Sequence, residues 1–434
     1  MKARLRSLLE RLRIPVTARG WHSLMAMFFA LILMFLFVTG TLSVMGHEID
    51  WLMTKAQRVT AAPEGKQSLG ASYDAARGRM PGAQVVMIER PAGPRTADQV
   101  TLLLPDGSRL LALVDPYRGV VQGTSSARTA WLTLRELHRA LSSPSRKVQF
   151  AVTLMVLPLA VILVSSLLLY RRFYRGFFRL PRRGARARAV LGDLHRLLGC
   201  WALIFMVPLV LTSGEFMIEF LGMGPAYYPS HMLPGGQAAP LPAGFSGADL
   251  DRAVALATRT LPGLVVSDVT LPLDARMPIA LRGDLTGLLV RSVANAVYVD
   301  PVHLSLRGFH RAEDIGTHLR LYEALRLIHY GSFAGLPGKI IWAVFGLVLS
   351  VLMALGAMIY AERLVFRTER SATGPEPERS PPTPSRPTPS RPAPSRPAPS
   401  RPVPSRLGHI WAGMGLGKWL GLAVLAFAAV ATLF

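Results

Sequence analysis

Cysteine is almost missing from this sequence: its 434 residues include one, Cys200. One thiol excludes an intrachain disulfide framework, a thiolate zinc site and the Cys-x-x-Cys-His attachment of covalent haem. Charged residues are also sparse, at 17%, and they lean to one sign, with 49 Lys and Arg against 26 Asp and Glu for a net charge of +23. No Gly-x-Gly-x-x-Gly fingerprint is present, and the basic loops are too short for a flavin or nicotinamide domain. What is abundant is apolar: half the residues are hydrophobic and mean hydropathy is +0.33. Such a chain is not disordered over most of its length. Nor does its charge read as a nucleic-acid footprint on a soluble protein. It reads as a polytopic α-helical membrane protein whose first partner is the lipid bilayer.

A spanning helix needs roughly 20 mostly apolar residues to cross about 30 Å of hydrocarbon. Five segments meet that need, at 21–46, 148–170, 195–221, 340–360 and 410–434. The first follows a basic N-terminus. It is longer than a signal-peptide core and has no small-residue cleavage site close behind, so it reads as a retained helix. Residues 1–20 hold six basic and one acidic residue, 171–190 eight and none, and 361–410 nine and four. These windows carry +18 of the +23, and all fall on one side if every segment crosses. By the positive-inside rule that side is cytoplasmic. The expected topology is therefore a bacterial inner-membrane protein with a cytoplasmic N-terminus (1–20), a basic cytoplasmic loop (171–194) and a cytoplasmic linker (361–409). Segments 47–147 and 222–339 then form two periplasmic modules. The linker repeats Ser-Arg-Pro-x-Pro from Ser385, Ser390, Ser395 and Ser400. Such a sequence favours extended polyproline conformation and reads as a solvated tether to the fifth helix rather than a dock for a partner or anionic headgroups.

The chain is internally duplicated. His22 opens the first segment and Thr39-Gly40 lies near its end; His195 opens the third, with Thr212-Ser213-Gly214 at the matching distance. In both, Thr follows His by 17 residues, about 25 Å of helix. Pro81-Gly82 recurs as Pro262-Gly263, Asp115-Pro116 as Asp300-Pro301, and His138 as His329. The offsets drift slowly through 173, 181, 185 and 191 residues, as small insertions between two copies would produce. The fold expected is a four-helix core from duplicated two-helix units, with small α+β outer modules and an extra C-terminal helix. Within the modules, Ser246–Thr260 reads as a capped helix stopped by Pro262-Gly263. Val265–Leu273 and Leu288–Val299 read as strands, and Asp106-Gly107 as a hairpin turn.

Two copies in one orientation are related by a pseudo-twofold axis along the membrane normal. His22 should then face His195 at one end of the core, and His138 should face His329 at the other. Two imidazoles from opposing helices can hold haem iron on both faces, and bundle cores commonly house such groups. Ionisable side chains at membrane depth also point to function. Cofactor binding is therefore assigned to His22, His195, His138 and His329, each an axial ligand to haem iron. His47 has no counterpart and is held as a reserve ligand. His303, His310 and His318 read as surface residues of the second module, and Cys200 as a small apolar filler.

These motifs resemble the PepSY-associated transmembrane family of bacterial inner-membrane proteins. The resemblance runs over about residues 15–365 and rests on Trp21-His22…Thr39-Gly40, Leu137-His138-Arg139, Leu194-His195-Arg196…Gly199 and Ile328-His329-Tyr330-Gly331…Gly335…Gly338. Ser23-Leu24-Met25 departs from the family's usual Arg and Gly. The Arg-Pro tail and the fifth helix lie outside the resemblance. The resemblance implies PepSY-like periplasmic pieces and b-type haem, two of them if each pair takes one. It also implies reduction of a ferric siderophore in the periplasm, releasing Fe(II) for iron uptake. The electron donor would be quinol or a separate cytoplasmic reductase. A contrasting expectation is a non-enzymatic PepSY-type module that binds peptides, proteases or envelope partners. A permease is disfavoured because the helices hold few charges to line a polar path.

Overall fold

Long apolar runs divide the chain into helices that need lipid and connecting segments that can build a core in water. The computed structural model describes residues 17–182, 187–229, 241–274, 276–285, 287–372 and 406–433. The Ser-Arg-Pro-x-Pro repeat and most of the basic N-terminus lie outside the described residues. The described chain divides into two units. One is helical, drawn from residues up to 37, 157–204 and 347–427; the other bears a sheet and is drawn from 38–156, 205–346 and 428 onward.

Among the described residues three helices are long and apolar enough to cross a membrane: Arg146–Leu169, Ala187–Met223 and Ser332–Arg363. The first and last expected spans are not straight helices. In the first, α1 (Ala18–Phe28) and α2 (Ala30–Val44) meet at 69°. The bend falls at Phe29, whose backbone leaves helical geometry at φ −97°, ψ 11°. In the last, α12 (Arg406–Gly413) and α13 (Gly417–Leu433) meet at 96°, with Gly415 between them at φ +54°. Three glycines in alternation, Gly413, Gly415 and Gly417, supply the break. The other spanning helices are α6 (Arg146–Thr153) with α7 (Val156–Leu169), then α8 (Ala187–Ile218), and finally α11 (Gly335–Ala372). Their outward faces stay apolar. Leu157, Val164 and Leu168, Ile204, Val207 and Leu211, and Ile341, Val344 and Leu347 are all 43% exposed or more. Apolar residues on all sides of a helix suit a hydrocarbon surround.

The fifth segment is integral to the helical unit. Met27, Ala30 and Met414 bury one another, joined by Met353, Ala357, Tyr360 and Ile410. A Cβ on Gly417 would collide with the Phe28 carbonyl, and one on Gly421 would come within 2.6 Å of Leu31. Glycine is thus what lets the two bent pairs pack closely.

In the other unit, the two connecting segments build one sheet. Helix α3 (Gly46–Met53) leads to α4 (Leu69–Arg79). Strands β1 (Gln84–Glu89), β2 (Asp98–Leu103), β3 (Arg109–Asp115) and β4 (Val120–Ser126) follow, and α5 (Ala130–Ala140) closes the first copy. The second copy runs α9 (Gly247–Thr260), β5 (Val265–Thr270), β6 (Ile279–Asp284), β7 (Ala296–Val299), β8 (Leu306–His310) and α10 (Thr317–His329). Each set of four strands is an antiparallel meander, and the two join along their first strands in the order β4-β3-β2-β1-β5-β6-β7-β8. The two expected modules therefore share a single eight-stranded sheet. The expected strand over Leu288–Val299 shortens to β7, because a turn and a short 3-10 helix at Ser292–Ala294 occupy its first half.

The pairing of β1 with β5 carries the duplication into three dimensions. Ile88 faces Val269, and Glu89 pairs with Asp268 while Met87 pairs with Thr270. Both Ile88 and Val269 are fully buried, under α4 and α9. Those helices also cap each other reciprocally. The Gly70 N–H donates to Asp251 Oδ1 at 2.9 Å, and the Gly247 N–H donates to Asp74 Oδ1 at 2.7 Å. A Cβ on either glycine would strike the other's carbonyl oxygen. The recurring Asp-Pro pairs are turn devices. Asp115 Oδ1 accepts from the Tyr117 N–H, and Asp300 Oδ1 from the Val302 and His303 N–H groups. Gln122 and Arg307, 185 residues apart, hold the second carboxylate oxygen in the two turns.

The capping geometry predicts that Gly70→Ala or Gly247→Ala destabilises this unit by about 1–3 kcal/mol, the range of overpacking, measured by thermal unfolding in detergent. A second prediction concerns Glu89. Burial and then the facing Asp268 carboxylate push its carboxyl above the ordinary value. A raised carboxyl favours the folded state below the unfolded pKa of about 4.3 and loses that contribution as pH climbs through the folded value. Glu89→Gln should therefore stabilise the sheet at pH 7 by roughly 0.2–1 kcal/mol, the scale of a cross-strand like-charge pair. The gain should fade below about pH 4.

Candidate paired-histidine sites

The structure brings together the histidines that the duplication paired. In the helical unit the His22 ring, on α1, lies 6.4 Å from the His195 ring on α8, centroid to centroid and nearly perpendicular at 87°. In the sheet-bearing unit the His138 ring, on α5, lies 6.3 Å from the His329 ring at the end of α10, tilted by 40°.

Two other histidines stack closely on aromatic rings, while ring pairs such as Phe173 and Phe177 share the wider spacing at 6.2 Å. His47 stacks on Trp131 at 4.3 Å, and His310 on Tyr228 at 4.4 Å. A metal ion bonded to two opposed imidazoles at about 2 Å each, with roughly 1.1 Å more from each nitrogen to its ring centre, gives about 6.2 Å. Both pairs match that separation. Among the described residues no three His, Cys, Asp or Glu side chains come together as a metal cluster. Pairs of opposed imidazoles fit a planar macrocycle that supplies the other four ligands itself.

The helices that carry His138 and His329 are tied down by charge. Asp50 accepts from the N–H groups of Ala130 and Trp131 at 2.7 and 3.1 Å, fixing the start of α5. Glu323 is fully buried on α10 and accepts from the Arg291 guanidinium at 2.6 and 2.7 Å. Arg326 pairs with Glu219 at 2.7 Å and lies over Phe216, whose ring meets His329 edge-on at 4.9 Å. Gly40 presses on the other ring, since a Cβ there would come within 2.8 Å of His138 Cε1.

Hydroxyl groups lie against Nδ1 of His22 and His329. Thr212 Oγ1 lies 2.9 Å from His329 Nδ1 and also donates to the Leu209 carbonyl at 3.0 Å. A hydroxyl has one proton, so with that proton on Leu209 its oxygen accepts from His329 Nδ1–H. The same holds for His22. Ser166 Oγ lies 3.2 Å and Ser165 Oγ 3.4 Å from its Nδ1. Both serines donate to carbonyls of their own helix, at Val161 and Ile162. Protonation at Nδ1 leaves Nε2 of His22 and His329 with a lone pair, the form in which imidazole binds a metal. Beside His195, a Cβ at Gly192 or Gly199, three residues before and four after, would meet nothing within 4 Å. An open strip therefore borders that ring along α8.

Other sequence candidates fall elsewhere. His47 is held against Trp131, and Gly46 is pressed onto the same indole. His303 lies in the β7–β8 turn and His318 is half exposed, 3.9 Å from Glu215. His310 corrects its surface assignment: it ends β8, is 8% exposed and hydrogen-bonds the Val293 carbonyl at 3.0 Å. Its neighbourhood in sequence is polar, and the rings of Tyr228 and Tyr298 cover it. Cys200 is buried against Gly176, as a filler would be. Sequence reasoning passed over Ser165, Ser166 and Gly356. The 191-residue offset of the second histidines, applied to the second helix of each copy, would have placed Ser165 against Gly356.

Residues 19–363 match the family model described as the PepSY-associated TM region. No curated protein matches the chain.

The hydroxyl geometry yields a prediction independent of any cofactor. Thr212→Val strips the acceptor from a buried Nδ1–H and should cost about 1–3 kcal/mol. In nitrogen-labelled histidine spectra, the His329 Nδ1 proton should exchange faster than in the parent protein.

Proposed function

The chain belongs to the PepSY-associated transmembrane family, and we propose that it is a haem-dependent reductase of the bacterial inner membrane. In this reading it carries electrons from quinol or a separate cytoplasmic reductase to a ferric siderophore in the periplasm, releasing Fe(II) for uptake. The observation that carries the proposal is the pair of imidazole pairs, each spaced for a single metal ion between two rings.

His22 and His195 would hold one b-type haem, and His138 and His329 the other. Bound there, haem supplies one-electron redox chemistry. The chain's own part is to hold, orient and insulate. Ser165, Ser166 and Thr212 keep the His22 and His329 rings in the Nε2-coordinating tautomer. Phe216, with Arg326 stacked behind it, walls one side of His329 and limits water there. Gly192 and Gly199 leave room along α8 where a flat macrocycle needs it. The basic windows of the sequence support an orientation with the N-terminus in the cytoplasm and the sheet in the periplasm, where the siderophore would meet it.

The test is a reduced-minus-oxidised spectrum of protein purified after growth with ample haem. It should show b-type bands, with two haems per chain by pyridine haemochrome assay. His22→Ala or His195→Ala should remove one haem, and His138→Ala or His329→Ala the other, so each substitution halves the count. A colourless wild-type protein that still captured a peptide or envelope partner would replace this reading with a non-enzymatic one.

A further inference from the structure

The two copies are unequal at one position that bears on the inner histidines. Within each copy the first-helix histidine faces its own second helix: His22 faces the turn of α7 that carries Ser165 and Ser166, and His195 faces the turn of α11 that carries Gly356. The 191-residue offset that relates His138 to His329 places Ser165 on Gly356 and Ser166 on Ala357. Two hydroxyls in one copy are therefore replaced by no hydroxyl in the other. The consequence is visible at the ring. His22 Nδ1 has two serine oxygens within 3.4 Å. His195 Nδ1 is buried and makes no hydrogen bond. The Leu352 carbonyl of the facing turn is a backbone acceptor beside the His195 ring.

We propose that Gly356 is a positioning residue that makes the inner pair electronically unequal, with His22 the strong, anchored ligand and His195 the weaker one. The inference rests on haem ligation by this pair. A histidine whose Nδ1–H reaches an acceptor becomes a more basic ligand through its other nitrogen, and a more basic ligand favours the oxidised metal. His195 has only the Leu352 carbonyl and no hydroxyl beside it, so the inner site is easier to reduce than a pair with hydroxyl acceptors on both rings would be. For the first station of an electron path, this eases the uptake of electrons from the donor. The position accepts a hydroxyl without strain. A Cβ at Gly356 would meet only His195 Cε1, at the ordinary contact distance of 3.6 Å. A serine there could donate to Leu352 O four residues back and accept from His195 Nδ1, as the serines of α7 do for His22.

The experiment is a spectropotentiometric titration of the full-length protein, wild type against Gly356→Ser, Ala357→Ser and the double variant Ser165→Ala/Ser166→Ala. His329→Ala identifies which wave belongs to the outer pair. Gly356→Ser should shift the inner equilibrium about tenfold toward the oxidised form, about 59 mV lower in midpoint. The serine-to-alanine double variant should move it the other way, and the outer wave should hold still in both. Haem content is read in each sample. A haem-loaded protein whose inner midpoint is unmoved by Gly356→Ser, Ala357→Ser and the double variant overturns this inference while leaving the proposed function intact. A wild-type protein that takes up no haem overturns both.

Discussion

The β1–β5 pairing joins two copies of one unit along equivalent strands, and a twofold relation requires equivalent strands that meet to run antiparallel. The register obeys this residue by residue, since Glu89 opposite Asp268 and Met87 opposite Thr270 exchange under the same 181-residue offset. Everything paired in the sheet-bearing unit follows from that self-meeting. The Asp74 and Asp251 caps are mutual because each helix presents to its copy what its copy presents to it. The same logic makes two histidine pairs from a unit that carries two histidines. A single copy has no facing imidazole and a duplicated one has two pairs, so the pairs exist only because the unit is doubled.

Much of this was legible in the sequence, and the exceptions have physical causes. The spans are legible because hydrocarbon demands long apolar runs, and the four histidines because they recur at drifting but regular offsets. The union of the two modules was not, because the β1–β5 contact is one antiparallel ladder between segments some 180 residues apart, and neither strand carries a mark of its partner. The bends in the first and last spans also escaped. A break at Phe29 needs no Pro or Gly of its own, and it is stabilised by Gly417 arriving from the far end of the chain. The Gly-x-x-x-Asp spacing shared by Gly70/Asp74 and Gly247/Asp251 was detectable at an offset of 177, between those of the first histidines and the Pro-Gly pair. It went unread because Gly and Asp in polar helices carry little individual signal.

Symmetry also separates structural recurrence from functional recurrence. Pro-Gly and Asp-Pro recur because both copies need the same turns, and the structure uses them in the same way twice. The histidines recur at the same positions but in unequal surroundings. Where one copy offers Ser165 and Ser166, the other offers Gly356 and Ala357. Phe216, which meets His329 edge-on, has Ser43 as its counterpart at the 173-residue offset, and Gly40, which presses on His138, has Ser213.

The choice of partners is itself set by the apolar surround. A carboxylate is the common companion of a metal-binding histidine in water, but within a spanning helix it would bring a charge that costs several kcal/mol to desolvate. A serine or threonine on a helix avoids that. Its proton goes to the carbonyl one turn back, its oxygen turns outward as an acceptor, and the imidazole is fixed in one tautomer with no net charge added. Ser165, Ser166 and Thr212 each show that pattern. A chain that keeps most of its charge out of its spans can thus still orient imidazoles packed against them.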